Sequence, residues 1–356
     1  MTYKQFVRRF FIVFIMLIAF VVGFVYVSDP YVYYHKEGIY NRTFAKNFNM
    51  RYQIPGMIRN LDYETLFVGT SMVHNFEESG IDQVFHTTSF NASISGSSAR
   101  EQRKAAELAI ASKNIKHIFW EINFDSLAGD SDRIDATFPK YLYDRNVFND
   151  YPYLLSYDAL KKIDYQIKNR KNLSANVDPY SFYKFGSNNE PLTVEKMEAE
   201  IKGLSAPPYQ DHNQKKYMKS FEDNILDMVK KHPDIQFTFF YTPYPITRHV
   251  VVDESDSTIT NERLNTKLAV FDELKEYKNA EVFDFQDEQD VTFNVGNYMD
   301  RSHYFPYINE WMLKEMANKE SIGSHSVYEA KVKNFREQIK NFSVSQLREE
   351  PKVAKK

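Results

Sequence analysis

An apolar segment close to the amino terminus places the strongest constraint on how this 356-residue chain can fold. From Phe10 to Val27 every side chain is apolar, and only Gly23 interrupts the run. At about 1.5 Å per residue, a helix of this length crosses most of a hydrocarbon core of about 30 Å. Basic residues precede it, namely Lys4, Arg8 and Arg9. They favour a cytoplasmic amino terminus, so we predict a single-pass plasma-membrane anchor that contacts lipid through residues 10–27.

Two other interpretations of the apolar segment carry less weight. A cleaved signal peptide has a shorter apolar region that ends in small residues, whereas this run leads into Tyr26, Val27 and then Asp29 and Pro30. A buried core helix would have a polar face, and this segment has none. The rest of the chain is therefore expected to face the outside, at a bacterial cell surface.

Composition excludes several classes of function. The chain has no cysteine, which excludes disulfides, thiolate metal sites and cysteine nucleophiles. Its 45 Lys and Arg against 48 Asp and Glu give a net charge of −3, so no basic field favours nucleic acid. The histidines outside the carboxyl-terminal Asp300/His303 pair lack metal-like spacing, and we expect neither a metal nor a cofactor.

Short apolar runs alternate with helical segments after residue 62. Such alternation predicts an α/β fold with a parallel sheet of about five strands and helices on both faces. The predicted strands are Thr65–Gly69, Thr88–Asn91, Lys116–Ile122, Ile235–Thr242 and Glu281–Phe285. A helix from Ala99 to about Lys113 begins after serines that can cap it.

The chain divides by composition into an anchor, a connector and a folded domain. We expect an amino-terminal stub and anchor at 1–30, a juxtamembrane connector at 31–62 and the α/β domain at 63–322. An insertion at 129–206, rich in Tyr, Asn, Asp and Lys, either shapes a polymer-binding surface or only adds packing. A carboxyl-terminal helix and charged tail follow at 323–356, with the tail from Arg348 expected to be disordered.

Ser71 and the pair Asp300 and His303 together supply the parts of a serine nucleophile site. A hydroxyl is a poor nucleophile until an imidazole removes its proton, and a carboxylate fixes the tautomer of that imidazole. An Asp and a His three residues apart can lie on one turn. Ser71 follows the first predicted strand, and Asp300 and His303 follow the fifth. The carboxyl ends of parallel strands form one rim, where ligands bind, so we expect these residues to meet.

The motifs around these residues resemble those of the SGNH/GDSL hydrolase superfamily, from about Leu66 to Met316. The family's Gly-Asp-Ser block appears as Gly69-Thr70-Ser71, and its Asp-x-x-His block as Asp300-Arg301-Ser302-His303 followed by Pro306. The second block is similar to Asn91-Ala92-Ser93-Ile94-Ser95-Gly96. The third, Gly-x-Asn-Asp, corresponds to the stretch around Asn123, which keeps the asparagine and lacks the glycine.

The resemblance implies a flavodoxin-like, SGNH-hydrolase-like sheet and an acyl-serine mechanism. It implies that Gly96 supplies an oxyanion N–H and that Asn123 is the second oxyanion residue. With the anchor, the chain resembles membrane-attached members such as DltD-like and alginate O-acetylation proteins. These work beside membrane-bound O-acyltransferases on cell-surface glycopolymers. The resemblance therefore implies an extracytoplasmic esterase or acyltransferase that acts on acyl esters of such a polymer.

Two questions stay open at the level of sequence. The acyl group could pass to water or to a sugar or polyol hydroxyl, and the sequence favours neither. The altered third block also supports a second class of function. In that class the chain is a non-catalytic accessory protein that binds the polymer or docks on a membrane O-acyltransferase.

Overall fold

The computed structural model describes residues 1–36, 49–169, 184, 189–202 and 204–350. The chain forms two compact units. The first contains residues 1–61 and 138–183, and the second contains residues 62–137 and 184–356. The insertion predicted at 129–206 is thus shared between the two units, and its residues 170–183, 185–188 and 203 lie outside the described residues.

The second unit is built on a five-stranded, all-parallel sheet. Its strands are β1 (Thr65–Val68), β2 (Ser89–Asn91), β3 (His117–Glu121), β4 (Gln236–Tyr241) and β5 (Ala280–Asp284). They lie in the order β2-β1-β3-β4-β5, the flavodoxin-like order. The predicted α/β class and all five predicted strands are confirmed.

Alternate side chains of each strand pack on opposite faces of this sheet. Phe67 and Phe119 are paired in register and stack at 4.4 Å between ring centroids. They belong to a core that includes Ile308 and Met312. On the other face the Trp120 indole N–H donates to Gln102 Oε1 at 2.8 Å. Because both faces are covered, apolar residues dominate the middle of the longer strands, as in Ile118-Phe119-Trp120 of β3.

Helices of the second unit lie between these strands in the chain or follow the last of them. They are α3 (Glu78–Phe85), α4 (Ala99–Ser112), α5 (Phe124–Leu127), α8 (Val194–Ile201), α9 (Gln214–Phe221), α10 (Asp227–Lys231), α11 (Ile246–Ser255), α12 (Ser257–Leu274), α13 (Gln289–Thr292), α14 (Pro306–Asn318) and α15 (His325–Lys340). The serine cap predicted for α4 is Ser98, which forms a capping box with Glu101.

The described end of the chain is ordered against the sheet domain. Arg348 forms a parallel bridge with Asn294, and its N–H donates to the Phe293 carbonyl at 2.9 Å. The expectation of disorder from Arg348 onward is therefore wrong for residues 348–350, because their backbone groups find partners in this loop. Residues 351–356 of the expected tail lie outside the described residues.

The first unit contains the apolar helix and a tyrosine-rich cluster. Its helices are α1 (Tyr3–Ser28), α2 (Met50–Asn60), α6 (Tyr151–Leu154) and α7 (Tyr157–Asn169). The helix α1 is long and apolar enough to cross a membrane, and most of its side chains are exposed. The length and apolar composition of α1 agree with the predicted membrane anchor.

Asp29 organises the turn that follows α1. Its carboxylate accepts the backbone N–H groups of Tyr33, Tyr34 and His35 at 2.8–2.9 Å. It also accepts the hydroxyl of Tyr153 at 2.7 Å. Asp29 adopts a left-handed conformation with φ 38°, which ends the helix. The residues after α1 therefore fold back at once and pack on α6.

Candidate functional site

Ser71 begins a short 3₁₀ turn, Ser71–Val73, directly after β1. Thr70 caps this turn, and its hydroxyl accepts the Met72 N–H at 3.4 Å. The Ser71 hydroxyl lies 2.9 Å from the His303 Nε2 atom, although 232 residues separate them in the chain. The structure thus brings the predicted hydroxyl and imidazole into hydrogen-bond contact.

Gly69 is required at this turn because the backbone passes against β3. A Cβ atom added there would lie 2.8 Å from both the Cβ and the Oε2 atoms of Glu121. Such contacts are too close for any side chain. The close approach of Glu121 therefore explains why residue 69, before Thr70 and Ser71, is a glycine.

Asp300 orients the His303 ring from the same turn. Its Oδ2 atom accepts the Nδ1–H of His303 at 2.7 Å, and its Oδ1 atom accepts the backbone N–H groups of Ser302 and His303 at 2.8 Å each. Burial raises the pKa of the Asp300 carboxyl, but these hydrogen bonds outweigh burial and hold the pKa below its usual value. An ionised Asp300 keeps the proton on Nδ1 and leaves Nε2 to accept from Ser71.

Two tyrosines fix the turn that carries this pair. Tyr304 donates its hydroxyl to the Met72 carbonyl at 2.5 Å, which joins the histidine loop to the serine turn. Tyr298 donates to the Pro243 carbonyl at 2.9 Å and forms an antiparallel bridge with Tyr304. Both rings are buried. The contact between Ser71 and His303 is therefore supported by neighbouring bonds across the strand ends.

These groups open into a polar pocket of about 220 Å³ at the carboxyl ends of the strands. The pocket is lined by Thr70, Ser71, Met72, Gly96, Ser97, Asn123, Asp125, Ser126, Tyr244, Arg248, Ser302 and His303. Within the described ranges, no group of three or more His, Asp or Glu side chains is arranged to hold a metal.

Gly96 lines the pocket, as the resemblance implied. Its φ angle of 60° is left-handed, which explains why glycine stands there even though an added Cβ would meet nothing within 4 Å. The loop before it is held to the serine turn, because the Ile94 N–H and the Ser97 hydroxyl both donate to the Gly69 carbonyl. An oxyanion role for Gly96 stays a prediction.

Asn123 also lines the pocket, but its side chain bonds within the protein. Its Nδ2 group donates to Glu121 Oε1 at 3.0 Å and to the Tyr244 hydroxyl at 2.8 Å. Its Oδ1 atom accepts the Asp125 N–H at 2.9 Å. Since a primary amide has two N–H donors, an oxyanion role would require one of them to turn toward substrate. That role stays a prediction.

Glu121 is a buried carboxylate that sequence reasoning missed. It accepts from the Thr70 N–H, from the Thr70 and Thr242 hydroxyls and from Asn123, at 2.7–3.2 Å. Burial raises the pKa of Glu121 despite these four bonds. The signal was an acidic residue at the end of the apolar strand Ile118-Phe119-Trp120, where a buried charge needs partners.

Arg248 and Tyr244 were missed because the end of β4 was not considered as part of the rim. Arg248 donates to Asp125 Oδ2 at 2.6 Å and to the Ser302 hydroxyl at 2.7 Å, and its guanidinium lies 4.6 Å from the Tyr244 ring centroid. It therefore links α11 to the loop that carries His303. Pro243 and Pro245, which end β4, were the available signal.

The Ser71 hydroxyl, the His303 imidazole and the Asp300 carboxylate thus form a continuous chain of contacts. Residues that follow each of the five strands line the pocket, and those that follow β2 are Gly96 and Ser97. Gly96, which follows β2, contributes backbone. Comparisons with known proteins add no family to this description: no family model and no curated protein matches the chain.

Proposed function

We propose that this chain is a membrane-anchored, extracytoplasmic serine esterase or O-acyltransferase. The observation that carries the proposal is the chain of contacts from Ser71 Oγ to His303 Nε2 at 2.9 Å and from His303 Nδ1 to Asp300 at 2.7 Å, at the mouth of a pocket. Distances of this kind suit a nucleophile activated by an oriented base. The resemblance to the SGNH/GDSL hydrolases supports the same chemistry.

The proposed reaction has two halves. Ser71 Oγ attacks the carbonyl carbon of an acyl ester while His303 Nε2 takes its proton, and Asp300 stabilises the imidazolium that results. The tetrahedral intermediate collapses, the C–O bond to the leaving alcohol breaks, and His303 returns the proton to that alcohol. Water or an acceptor hydroxyl then attacks the acyl-serine while His303 takes its proton. The acyl–Oγ bond breaks, and His303 returns that proton to Ser71 Oγ.

The proposed substrate is an acyl ester on a cell-surface glycopolymer. The pocket is polar and small, which suits short acyl groups on hydroxyl-rich acceptors. The apolar helix α1 supports placement at a membrane, where such polymers and membrane-bound O-acyltransferases are found. The acyltransferase partner is part of the proposal through the resemblance to DltD-like and alginate O-acetylation proteins.

A second candidate is a non-catalytic accessory protein that binds the polymer or docks on such an acyltransferase. The engagement of both Asn123 donors by Glu121 and Tyr244 favours it, because a strong oxyanion site has donors directed at the substrate. In this alternative the Ser71 hydroxyl is never acylated.

Covalent labelling separates the two candidates. The full chain in detergent is treated with a fluorophosphonate probe and with p-nitrophenyl acetate, and Ser71→Ala is compared with Ser345→Ala, an exposed serine far along the chain. We expect wild type and Ser345→Ala to be labelled and to release p-nitrophenol, and Ser71→Ala to do neither. Labelling that persists in Ser71→Ala would refute the nucleophile. An unlabelled wild type would favour the accessory role.

Product analysis with added glycerol then distinguishes transfer from hydrolysis. If the acyl-serine passes to hydroxyl acceptors, acetylglycerol accumulates at the expense of acetate as glycerol rises. If it passes to water, acetate release does not depend on glycerol. Either result is compatible with the acyl-serine, and the ratio of products assigns the reaction.

A further inference from the structure

Large apolar side chains are exposed along one stretch of the first unit, from residue 147 to residue 157. Their exposed fractions reach 92% at Phe148 and 70% at Tyr157. The others are Val147, Tyr151 and Leu155. A contiguous exposed set of this kind marks an interaction surface, since isolated apolar side chains are the norm on a protein surface.

Buried residues between them fix this stretch to the carboxyl end of α1. Asp150 accepts the hydroxyls of Tyr33 and Tyr34 at 3.3 and 3.1 Å, and Tyr153 donates to Asp29 at 2.7 Å. Asp150 and Tyr153 have no measurable exposure. The exposed side chains on either side of them are therefore held beside the point where the chain leaves the apolar helix.

The contacts of α6 and α7 with α1 fix the position of this surface along the α1 axis, and therefore its depth relative to a bilayer that α1 spans. Helices α6 and α7 pack against α1, and the side chains of α1 that are covered toward its carboxyl end are Val21, Val22, Val25 and Ser28. Val21 lies about 10 Å along the helix axis from Ser28 at 1.5 Å per residue. The apolar run continues to Val27. Helices packed on this part of α1 must therefore reach the headgroup region and the edge of the hydrocarbon core if α1 spans a bilayer.

The exposed face of α7 has the composition of an interfacial helix. Tyr157, Lys161, Asp164, Tyr165 and Lys168 lie on the side opposite its buried residues. Lys161 pairs with Asp158 at 3.4 Å and Lys168 with Asp164 at 2.7 Å. The Lys161 ammonium lies 4.4 Å from the Tyr157 ring centroid. Tyrosine rings prefer the membrane interface, and lysine stems extend along apolar surface while the ammonium reaches lipid phosphates.

We propose that residues 147–157 together with the exposed face of α7 form a membrane-interface surface. Its partner is the lipid of the bilayer that α1 enters, with Phe148 and Tyr151 in the acyl-headgroup boundary and the ion-paired Lys161 and Lys168 at the level of the headgroups. This inference does not depend on the proposed acyl chemistry. It depends on α1 as a membrane span.

Site-directed spin labelling tests the proposal on the full chain. Because the sequence contains no cysteine, a single introduced cysteine is labelled without background. Val147→Cys and Phe148→Cys are labelled with a nitroxide in vesicles of phosphatidylcholine and phosphatidylglycerol. Val327→Cys is the matched control, since Val147 and Val327 are both 58% exposed and Val327 belongs to the second unit. Ile15→Cys within α1 marks the membrane span.

The readout is the ratio of nitroxide collisions with oxygen, which concentrates in lipid, to collisions with a water-soluble nickel chelate. We expect the ratio at 147 and 148 to shift toward that of Ile15 and away from that of Val327. A water-like ratio at both positions would overturn the proposal. Protection from both reagents would also overturn it, because it would indicate a protein neighbour. A water-like ratio at Ile15 would show that α1 does not span the bilayer, and this result would also overturn the proposal.

Discussion

The Thr70 hydroxyl donates to the Glu121 carboxylate at 2.8 Å, directly behind the turn that carries Ser71. The SGNH/GDSL pattern that this chain resembles has Asp in the middle of its Gly-Asp-Ser block, and Thr70 occupies that position here. When Asn123 is aligned with the asparagine of the third block, Glu121 stands where the pattern has Gly. The two departures are in contact. We interpret them as one exchange, in which β3 supplies the carboxylate that the serine turn lacks.

This interpretation predicts a coupling between positions 70 and 121. Thr70→Asp alone places a second carboxylate against a buried one, and we expect it to lower the free energy of unfolding by about 3 kcal/mol, as an uncompensated buried charge does. Thr70→Asp combined with Glu121→Gln should recover at least ~1 kcal/mol of that loss. Urea unfolding followed by the fluorescence of Trp120 and Trp311 measures Thr70→Asp, Glu121→Gln and the double variant. Simple additivity of the two single variants would contradict the exchange.

Asp300→Asn should remove most of the activity without unfolding the protein. The amide cannot hold the proton on His303 Nδ1 as the carboxylate does, so we expect kcat to fall by about 10³-fold to 10⁴-fold. Ester hydrolysis and the thermal midpoint are measured together. The variant Asp300→Asn/His303→Ala should be no slower than His303→Ala alone, because residues that act as a unit are not additive. Additive losses would mean that Asp300 acts elsewhere.

Lys267 and Asp284 form a buried ion pair of 2.5 Å in the second unit, and Tyr328 also donates to Asp284 at 3.0 Å. Lys267→Met leaves the carboxylate buried without its cation, and we expect a loss of about 3–5 kcal/mol in the free energy of unfolding. Lys267→Met/Asp284→Asn should lose clearly less, because no isolated charge remains. Chemical unfolding of both variants decides this, and equal losses would show that packing dominates.

Acid should destabilise the fold through buried histidines. Burial lowers the pKa of His117 to about 4, so the folded state binds fewer protons than the unfolded state between pH 4 and about 6.5. Protonation of His117 in the unfolded state therefore lowers the free energy of unfolding as pH falls through this window. We expect His117→Gln, which can still bond to Thr238, to reduce the slope of unfolding free energy against pH by up to about 1.4 kcal/mol per unit.

The comparison at pH 8 separates charge from packing in this variant. There the imidazole is neutral in both states, so any difference between His117→Gln and wild type reports lost packing, including the ring contacts with Phe119 and Phe85. A slope between pH 4 and 6.5 that the substitution leaves unchanged would assign the acid sensitivity to other groups, of which His74, with a pKa lowered by burial to about 3, is the first to examine.

The sheet could be predicted because its signals are local. Most of the strands contain a short apolar run bounded by Gly, Pro or polar residues, and such runs need no distant information. The approach of Ser71 to His303 also followed, since parallel strands place their carboxyl ends on one rim. The same rule, applied to the end of β4, would have drawn attention to Tyr244 and Arg248.

The first unit could not be predicted because its contacts are long-range and polar. Tyr33, Tyr34 and Tyr153 meet around Asp29 and Asp150 across more than a hundred residues of chain. No periodicity in the sequence encodes such pairings. The sequence therefore predicts a connector at 31–62 and an insertion at 129–206, whereas the structure places residues 31–61 and 138–169 in one unit.

The separation of 232 residues between Ser71 and His303 means that the two residues are synthesised at different times. Ribosomes make the serine turn early and the histidine turn late. A nascent or carboxyl-terminally clipped chain therefore carries the Ser71 hydroxyl without the His303 imidazole. Under the proposed acyl-serine mechanism reactivity requires the finished chain, and we expect proteolytic fragments that lack the last sixth of the sequence to be inert.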